Sequence, residues 1–149
     1  MKILTLAFFL TLGALVVVGC GGSKTQTSAQ KLSNEGMQTL PSGLMYRVVK
    51  EGTGATPKAT DKVRVHYRGQ FPDGKEFDSS YSRGEPIEFD VTGVIKGWTE
   101  ALQLMKEGAS WQLCIPPGLA YGEMGAPPAI PPGATLYFDV ELLKVISAD

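Results

Sequence analysis

The sequence predicts an α+β domain in which an antiparallel sheet of about five strands wraps a single helix. Three observations lead to this prediction. Several short segments alternate apolar and polar residues, one longer segment spaces its apolar residues as a helix does, and 18 glycines and 10 prolines supply many turns. A chain of 149 residues typically forms one domain.

The strands are predicted from alternation, because successive side chains of a strand point to opposite faces of the sheet. In residues 62–71, Val63, Val65 and Tyr67 share one face, and His66 lies on the polar face. The other predicted strands are 44–50, 87–91, 110–115 and 135–145, with a Pro-Asp-Gly turn at 71–75.

The helix is predicted over residues 97–108. Trp98, Leu102 and Met105 follow one another at i, i+4 and i+7 and therefore share one helix face. Gly108 stands where a glycine commonly ends a helix.

The first twenty residues have the pattern of a secretory signal. Lys2 precedes sixteen uncharged, mostly apolar residues at 3–18. This stretch is short for a membrane-spanning helix, which needs ~20 residues. Val17-Val18-Gly19-Cys20 resembles a bacterial lipobox, in which the cysteine is acylated and becomes the mature N-terminus. An uncleaved signal anchor with an incidental cysteine is the alternative.

This pattern predicts three regions. We expect a lipoprotein signal peptide at 1–19, a lipidated Cys20 with a flexible tether through residue 40, and the folded domain at 41–149. A short helix around residues 30–37 is compatible with the tether sequence. The protein is then expected at the bacterial cell envelope, facing the periplasm or the exterior. Gly21 after the cysteine favours the outer membrane in a cell with two membranes.

Cys114 is expected to be structural. If Cys20 carries lipid, Cys114 has no partner for an intramolecular disulfide. Trp111, Leu113 and Ile115 share one face of its predicted strand, so the thiol faces the other side. No histidine or basic residue lies nearby in sequence to lower its pKa and make it a nucleophile.

Charge and motifs exclude several classes of function. The 14 basic and 15 acidic residues lack the basic excess of a nucleic-acid-binding protein. His66 is the only histidine, so a His-based zinc site or a Ser-His-Asp triad would have to be built on it. Gly52-Thr53-Gly54 lacks the third glycine and the following helix of a dinucleotide site. We therefore expect no cofactor, no metal and no nucleic-acid partner.

Several aromatic residues and two isoleucines lie near the ends of the predicted elements. They are Tyr67, Phe77, Trp98, Tyr121, Phe138, Ile95 and Ile130. These residues predict either an aromatic-lined pocket or ordinary packing of the core, and composition leaves both interpretations open.

Six short motifs follow one another along the chain: Val65-His-Tyr67-Arg-Gly69, Gly74-Lys-Glu-Phe77-Asp78-Ser-Ser80, Gly93-Val-Ile95-Lys-Gly-Trp98, Ala120-Tyr121-Gly122, Ile130-Pro-Pro132 and Leu136-Tyr-Phe138-Asp-Val-Glu-Leu142. In their order and spacing they closely resemble the FKBP-type peptidyl-prolyl cis-trans isomerases. The likeness covers residues 41–149. Arg83-Gly-Glu-Pro86 is similar to the bacterial envelope branch, which includes the macrophage infectivity potentiator type.

The resemblance implies an antiparallel half-barrel of five or six strands around one short helix, with a pocket between helix and sheet. The catalytic residues that it implies are Trp98 as the floor of the pocket, Tyr67, Phe77 and Phe138 as its aromatic walls, and Asp78 and Tyr121 as its polar groups. Substrate-binding residues would line the rim or lie beside it: Val94, Ile95, Ile130, Ile87 and Arg83, the last pairing with Asp78.

Three positions depart from the familiar eukaryotic members of that family. Ile87 replaces an aromatic wall residue, Gly93 replaces an acidic residue, and Ala126 stands where a histidine is often found. These departures concern ligand affinity and substrate preference more than activity.

The activity that the resemblance implies is rotation about X-Pro bonds in exported proteins, with no covalent intermediate. A non-catalytic chaperone or binding module at the cell envelope is the alternative. Expected partners are proline-containing polypeptides, macrolide-type inhibitors and a membrane reached through the lipid on Cys20. The chain is expected to be a monomer, because a short tether stands where the infectivity potentiator type has a long helical dimerisation region.

Overall fold

The computed structural model describes residues 32–148, and their centre is one antiparallel sheet. Its strands follow the spatial order β1-β2-β6-β7-β3-β4, and β5 also pairs with β3. The strands are β1 (Gln38–Thr39), β2 (Met45–Lys50), β3 (Lys62–Gln70), β4 (Glu76–Ser79), β5 (Ile87–Asp90), β6 (Ser110–Ile115) and β7 (Leu136–Ile146). The α+β class is therefore confirmed, with seven strands instead of the expected five or six.

The core lies on one face of this sheet, as the alternation predicts. In β3 the side chains of Val63, Val65 and Tyr67 are buried, and in β7 Leu142 and Val140 are buried opposite Val65 and Tyr67. The long pairing of β3 with β7, from Lys62↔Ile146 to Gln70↔Tyr137, brings these two apolar rows side by side.

Two strands share the outer edge of β3. Residues 62–65 pair with β5, and residues 68–70 pair with β4. The one-turn helix α1 (Ser80–Arg83) connects the two shorter strands and contacts β3 between them. Neither β4 nor α1 was predicted from periodicity, because each contains a single large apolar or aromatic residue, Phe77 or Tyr81, and one such residue cannot define a period.

The second helix, α2 (Lys96–Leu102), buries Trp98, Ala101 and Leu102 against the sheet. The prediction of a helix over 97–108 was wrong about its end. The chain leaves the helix after Leu102, and Gly108 lies in the turn before β6, where its N–H donates to the Leu142 carbonyl (2.7 Å). Met105 is still fully buried, so helical spacing and burial agree there although the helix has already ended.

Residues 32–40, which we assigned to the tether, lie against the domain and form no helix. Gln38–Thr39 is strand β1, paired with β2. The Tyr137 hydroxyl donates to Asn34 Oδ1 (2.6 Å), and the Leu32 N–H donates to the Pro72 carbonyl (3.2 Å). The folded domain therefore begins before residue 41.

The predicted signal peptide, Cys20 and the tether up to residue 31 lie outside the described residues. Between residues 32 and 148, no helix combines the length and apolar character needed to cross a membrane. Cys114 carries a free thiol that is fully buried. Burial raises the pKa of this thiol, which keeps it protonated and weakly nucleophilic.

Candidate active site

A cavity of about 430 Å³ opens between α2 and the strands β3, β4, β5 and β7. Rings supply most of its wall, and one carboxylate lies at its edge. The lining residues are Tyr67, Phe77, Asp78, Phe89, Gly93, Val94, Ile95, Trp98, Tyr121 and Phe138. All six residues predicted as catalytic therefore border one cavity, although they come from five separate parts of the chain.

Trp98 is the common neighbour of the rings. Its indole makes edge-to-face contacts with Tyr67, Phe89 and Phe138, at centroid distances of 5.3, 5.8 and 5.3 Å. Phe138 in turn meets Phe77 edge to face at 5.6 Å. Such contacts favour fixed ring orientations within the wall.

The polar edge of the cavity is a hydrogen-bonded triangle. Arg83 Nη1 donates to Asp78 Oδ1 (2.7 Å), and the Tyr67 hydroxyl donates to Asp78 Oδ2 (2.5 Å). Arg83 Nη2 donates to the Tyr67 hydroxyl oxygen (2.9 Å). Both oxygens of the Asp78 carboxylate are thus fixed, and helix α1 carries the arginine that holds one of them.

The triangle sets the protonation states of its members. Burial opposes ionisation of Asp78, but hydrogen bonds from Tyr67 and Arg83, together with the guanidinium charge, hold its pKa below the ordinary value. Burial, followed by the hydrogen bond to Asp78, raises the pKa of Tyr67. The site at neutral pH therefore holds a carboxylate beside a protonated phenol.

We expect Asp78→Asn to lower the free energy of unfolding at neutral pH, because the amide loses the charge-assisted hydrogen bonds. The depressed pKa of Asp78 fixes the sign of the pH dependence. Its contribution is complete above the unfolded-state pKa of about 3.9 and is lost as pH falls through the folded-state pKa. Urea unfolding of wild type and Asp78→Asn between pH 3 and pH 7 measures this contribution. If the difference between their free energies of unfolding does not shrink in acid, the lowered pKa of Asp78 is contradicted.

Two residues predicted at the rim lie elsewhere. Ile130 is buried and pairs with Ala126, and Ile87 pairs with Val65 on the sheet. Phe89, two residues further along β5, borders the cavity instead. Sequence reasoning missed Phe89 as a site residue, although alternation places it on the same face as Ile87.

A second cavity, of about 380 Å³, lies where residues 32–37 cross β2, β6 and β7. Its lining is largely polar and includes Arg47, Gln70, Gln112 and Asp139. Between residues 32 and 148, no three His, Cys, Asp or Glu side chains cluster closely enough to hold a metal ion. The aromatic cavity is the better candidate for the active site, because it brings together all six residues predicted as catalytic.

Comparison with known proteins identifies the family of the domain. Residues 53–143 match the family model described as FKBP-type peptidyl-prolyl cis-trans isomerase. The chain belongs to this family. Every residue that lines the aromatic cavity falls within the part of this FKBP-type domain that matches the family model.

Individual relatives agree with this assignment. The FKBP-type 22 kDa peptidyl-prolyl cis-trans isomerase of Escherichia coli is 55% identical over 78% of this chain and 57% of its own length. The peptidyl-prolyl cis-trans isomerase Mip of Coxiella burnetii is 50% identical over 74% of this chain and 48% of its own. The chain thus spans about half the length of these curated relatives.

A solved relative shares the fold. The crystal structure of FkpA from Escherichia coli superposes with a TM-score of 0.74 at 54% sequence identity. The match covers 77% of this chain and 54% of that one.

Proposed function

We propose that this chain is an enzyme that catalyses cis-trans isomerisation of X-Pro peptide bonds in polypeptides. The observation that supports this most directly is the cavity of edge-to-face aromatic rings with the hydrogen-bonded Asp78 carboxylate at its edge. Rotation about the peptide bond breaks no covalent bond but meets a barrier of about 20 kcal/mol, which amide resonance creates. A site for it needs shape and electrostatics, with no nucleophile or metal.

The cavity can lower this barrier by treating the planar and twisted amides differently. The planar amide is the more charge-separated form, so transfer into an aromatic cavity disfavours it relative to the less polar twisted amide. In the twisted amide the carbonyl carbon loses electron donation from nitrogen and becomes more positive. The Asp78 carboxylate lies at the cavity edge where it can stabilise that change. A ten-thousand-fold acceleration needs only about 5.5 kcal/mol.

Two groups can hold the substrate backbone. Within residues 32–148, neither the Ile95 N–H nor the Tyr121 hydroxyl makes an internal hydrogen bond, and both residues line the cavity. Tyr121 is 42% exposed, which leaves its hydroxyl accessible. The Ile95 N–H can donate to a substrate carbonyl, and Tyr121 can bind the adjoining peptide.

A protease-coupled isomerisation assay on short X-Pro peptides tests the proposal, with Asp78→Asn as the companion variant. We expect turnover by the wild type, lower turnover by Asp78→Asn, and inhibition by a macrolide that fills the aromatic cavity. A wild type that binds proline peptides without accelerating their isomerisation would contradict the enzyme and favour the binding-module alternative.

We further propose that the protein is a lipoprotein of the bacterial cell envelope and acts there on exported proteins. The support comes from the sequence: the apolar stretch at 3–18 and the lipobox-like Val17-Val18-Gly19-Cys20. Two or three acyl chains on Cys20 would anchor the domain stably, since each buried CH₂ contributes about 0.8 kcal/mol.

Cys20→Ser is expected to abolish lipid attachment, because acylation requires a thiol and the serine hydroxyl is a far weaker nucleophile. The variant should move from the detergent phase to the aqueous phase in a Triton X-114 partition, or accumulate as an uncleaved precursor. Cys114→Ser serves as the matched control and should remain in the detergent phase. Unchanged partitioning of Cys20→Ser would contradict the lipoprotein proposal.

A further inference from the structure

Ser80 is the most deeply buried polar residue near the site, and it lies behind the cavity, outside the lining. It is the first residue of α1 and has no exposed surface. Its Oγ accepts a hydrogen bond from the Tyr67 N–H (2.8 Å), lies 3.3 Å from the Tyr67 carbonyl oxygen, and lies 2.9 Å from His66 Nδ1. One hydroxyl therefore contacts both backbone polar groups of a residue that lines the cavity.

This hydroxyl fills a gap in the sheet. On the outer edge of β3, pairing with β5 ends at Val65 and pairing with β4 begins at Arg68. Among residues 32–148, His66 and Tyr67 have no strand partner on that edge, and a buried backbone N–H without a partner is costly. Ser80 supplies the partner from α1, so the same contact that satisfies Tyr67 also fixes where the helix begins.

His66 holds the hydroxyl from its other side. The imidazole stacks on the Tyr81 ring at 4.6 Å with an interplanar angle of 13°. This stacking fixes the ring plane, and Nδ1 then points to Ser80 Oγ. His66 and Tyr81 thus clamp the first turn of α1 against β3.

The two ends of α1 connect this clamp to the polar edge of the cavity. Arg83, three residues after Ser80, donates to Asp78 and to the Tyr67 hydroxyl. A helix of one turn has little stability of its own, so its position depends on the contacts at its ends. If the Ser80 contact is lost, the positions of the Tyr67 backbone and of Arg83 are no longer fixed.

We propose that Ser80 is a positioning residue of the isomerase site, which holds Tyr67 and α1 so that the Tyr67 hydroxyl and Arg83 both reach the Asp78 carboxylate. This inference rests on the proposed isomerase function. Displacements of about 1 Å in a supporting contact can cost up to a hundredfold in rate.

Ser79→Ala is a matched control for Ser80→Ala. Ser79 precedes Ser80, is also buried, and its hydroxyl has no hydrogen-bond partner within the described residues. Each variant removes one buried oxygen at neighbouring positions. We expect kcat/KM to fall about tenfold in Ser80→Ala and to stay within about twofold of wild type in Ser79→Ala.

Titration of Asp78 supplies a measurement that does not depend on turnover. In Ser80→Ala, the pKa of the Asp78 carboxyl, followed by carbon NMR, should rise toward its ordinary value as Arg83 and the Tyr67 hydroxyl move away. In Ser79→Ala it should match wild type. The ring-nitrogen chemical shifts of His66, the single histidine of the chain, should change only in Ser80→Ala.

A double-mutant cycle separates positioning from a general loss of stability. If Ser80 acts through the carboxylate, the Ser80→Ala effect on kcat/KM should shrink to about twofold or less in an Asp78→Asn background. An undiminished effect in that background would overturn the proposal. So would an Asp78 titration in Ser80→Ala that equals that of Ser79→Ala.

Ser80→Cys covers the case in which Ser80→Ala does not fold. The thiol is larger than the hydroxyl and a weaker donor and acceptor, so it weakens the contacts to Tyr67 and His66, and changes in the same direction are expected. A folded Ser80→Cys that titrates and turns over like Ser79→Ala would overturn the proposal. If the wild type shows no isomerase turnover, the proposed function fails, and the titration of Asp78 still decides whether Ser80 positions the triangle.

Discussion

Phe138→Ala is expected to remove most isomerase activity and to lower the free energy of unfolding by about 3–5 kcal/mol. The phenyl ring is 6% exposed and packs edge to face on Trp98 and Phe77. Its loss would widen the cavity, admit water beside the amide, and free two neighbouring rings to move. Activity should therefore fall more than the stability loss alone explains when both are measured below the melting temperature.

Tyr137→Ala is the control for this change, because Tyr137 precedes Phe138 on β7 and its side chain points to the other face. The Tyr137 hydroxyl donates to Asn34 Oδ1 at 2.6 Å, away from the aromatic cavity. This variant should keep most of the wild-type kcat/KM. Circular dichroism and urea unfolding establish that both variants are folded, and equal activities in the two folded proteins would place the active site elsewhere.

The strands were predictable where one face is buried. Alternation located β3 and β7 to within one or two residues, because a strand with a buried face must place apolar side chains at every second position. The end of α2 was not predictable in this way. Leu102 and Met105 fit helical spacing, but the hydrogen bond from Gly108 to Leu142, 34 residues away, holds the turn that leads the chain into β6. Local spacing does not contain that contact.

The site was predictable in composition but not in geometry. Residue types indicated an aromatic pocket and equally allowed core packing, and the family resemblance supplied the individual roles. Phe89, and not Ile87, borders the cavity; both residues pair with β3, at Val63 and Val65, and alternation places both on one face without distinguishing them. The ion pair of Arg83 with Asp78 needs the single turn of α1 to bring the two together.

Gly69→Ala is expected to damage the active site more than its size suggests. Gly69 lies on β3 between its partners Asp78 and Phe138. A Cβ atom at this position would lie 2.6 Å from Phe77 Cζ and 2.9 Å from Phe138 Cε1, well inside van der Waals contact. Both rings are cavity walls, so they must rotate or shift to admit one methyl group. We expect kcat/KM to fall at least about tenfold, with a stability loss of about 1–3 kcal/mol from overpacking.

Gly118→Ala is the matched control, because a Cβ atom there would meet nothing within 4 Å. Its activity should equal wild type, and its stability should change by less than about 0.5 kcal/mol. Aromatic proton shifts of Phe77 and Phe138 measure the ring displacement directly and should change only in Gly69→Ala. If Gly69→Ala retains wild-type kcat/KM while those shifts move, the rings can be displaced without cost, and a rigid aromatic wall is not what accelerates the rotation.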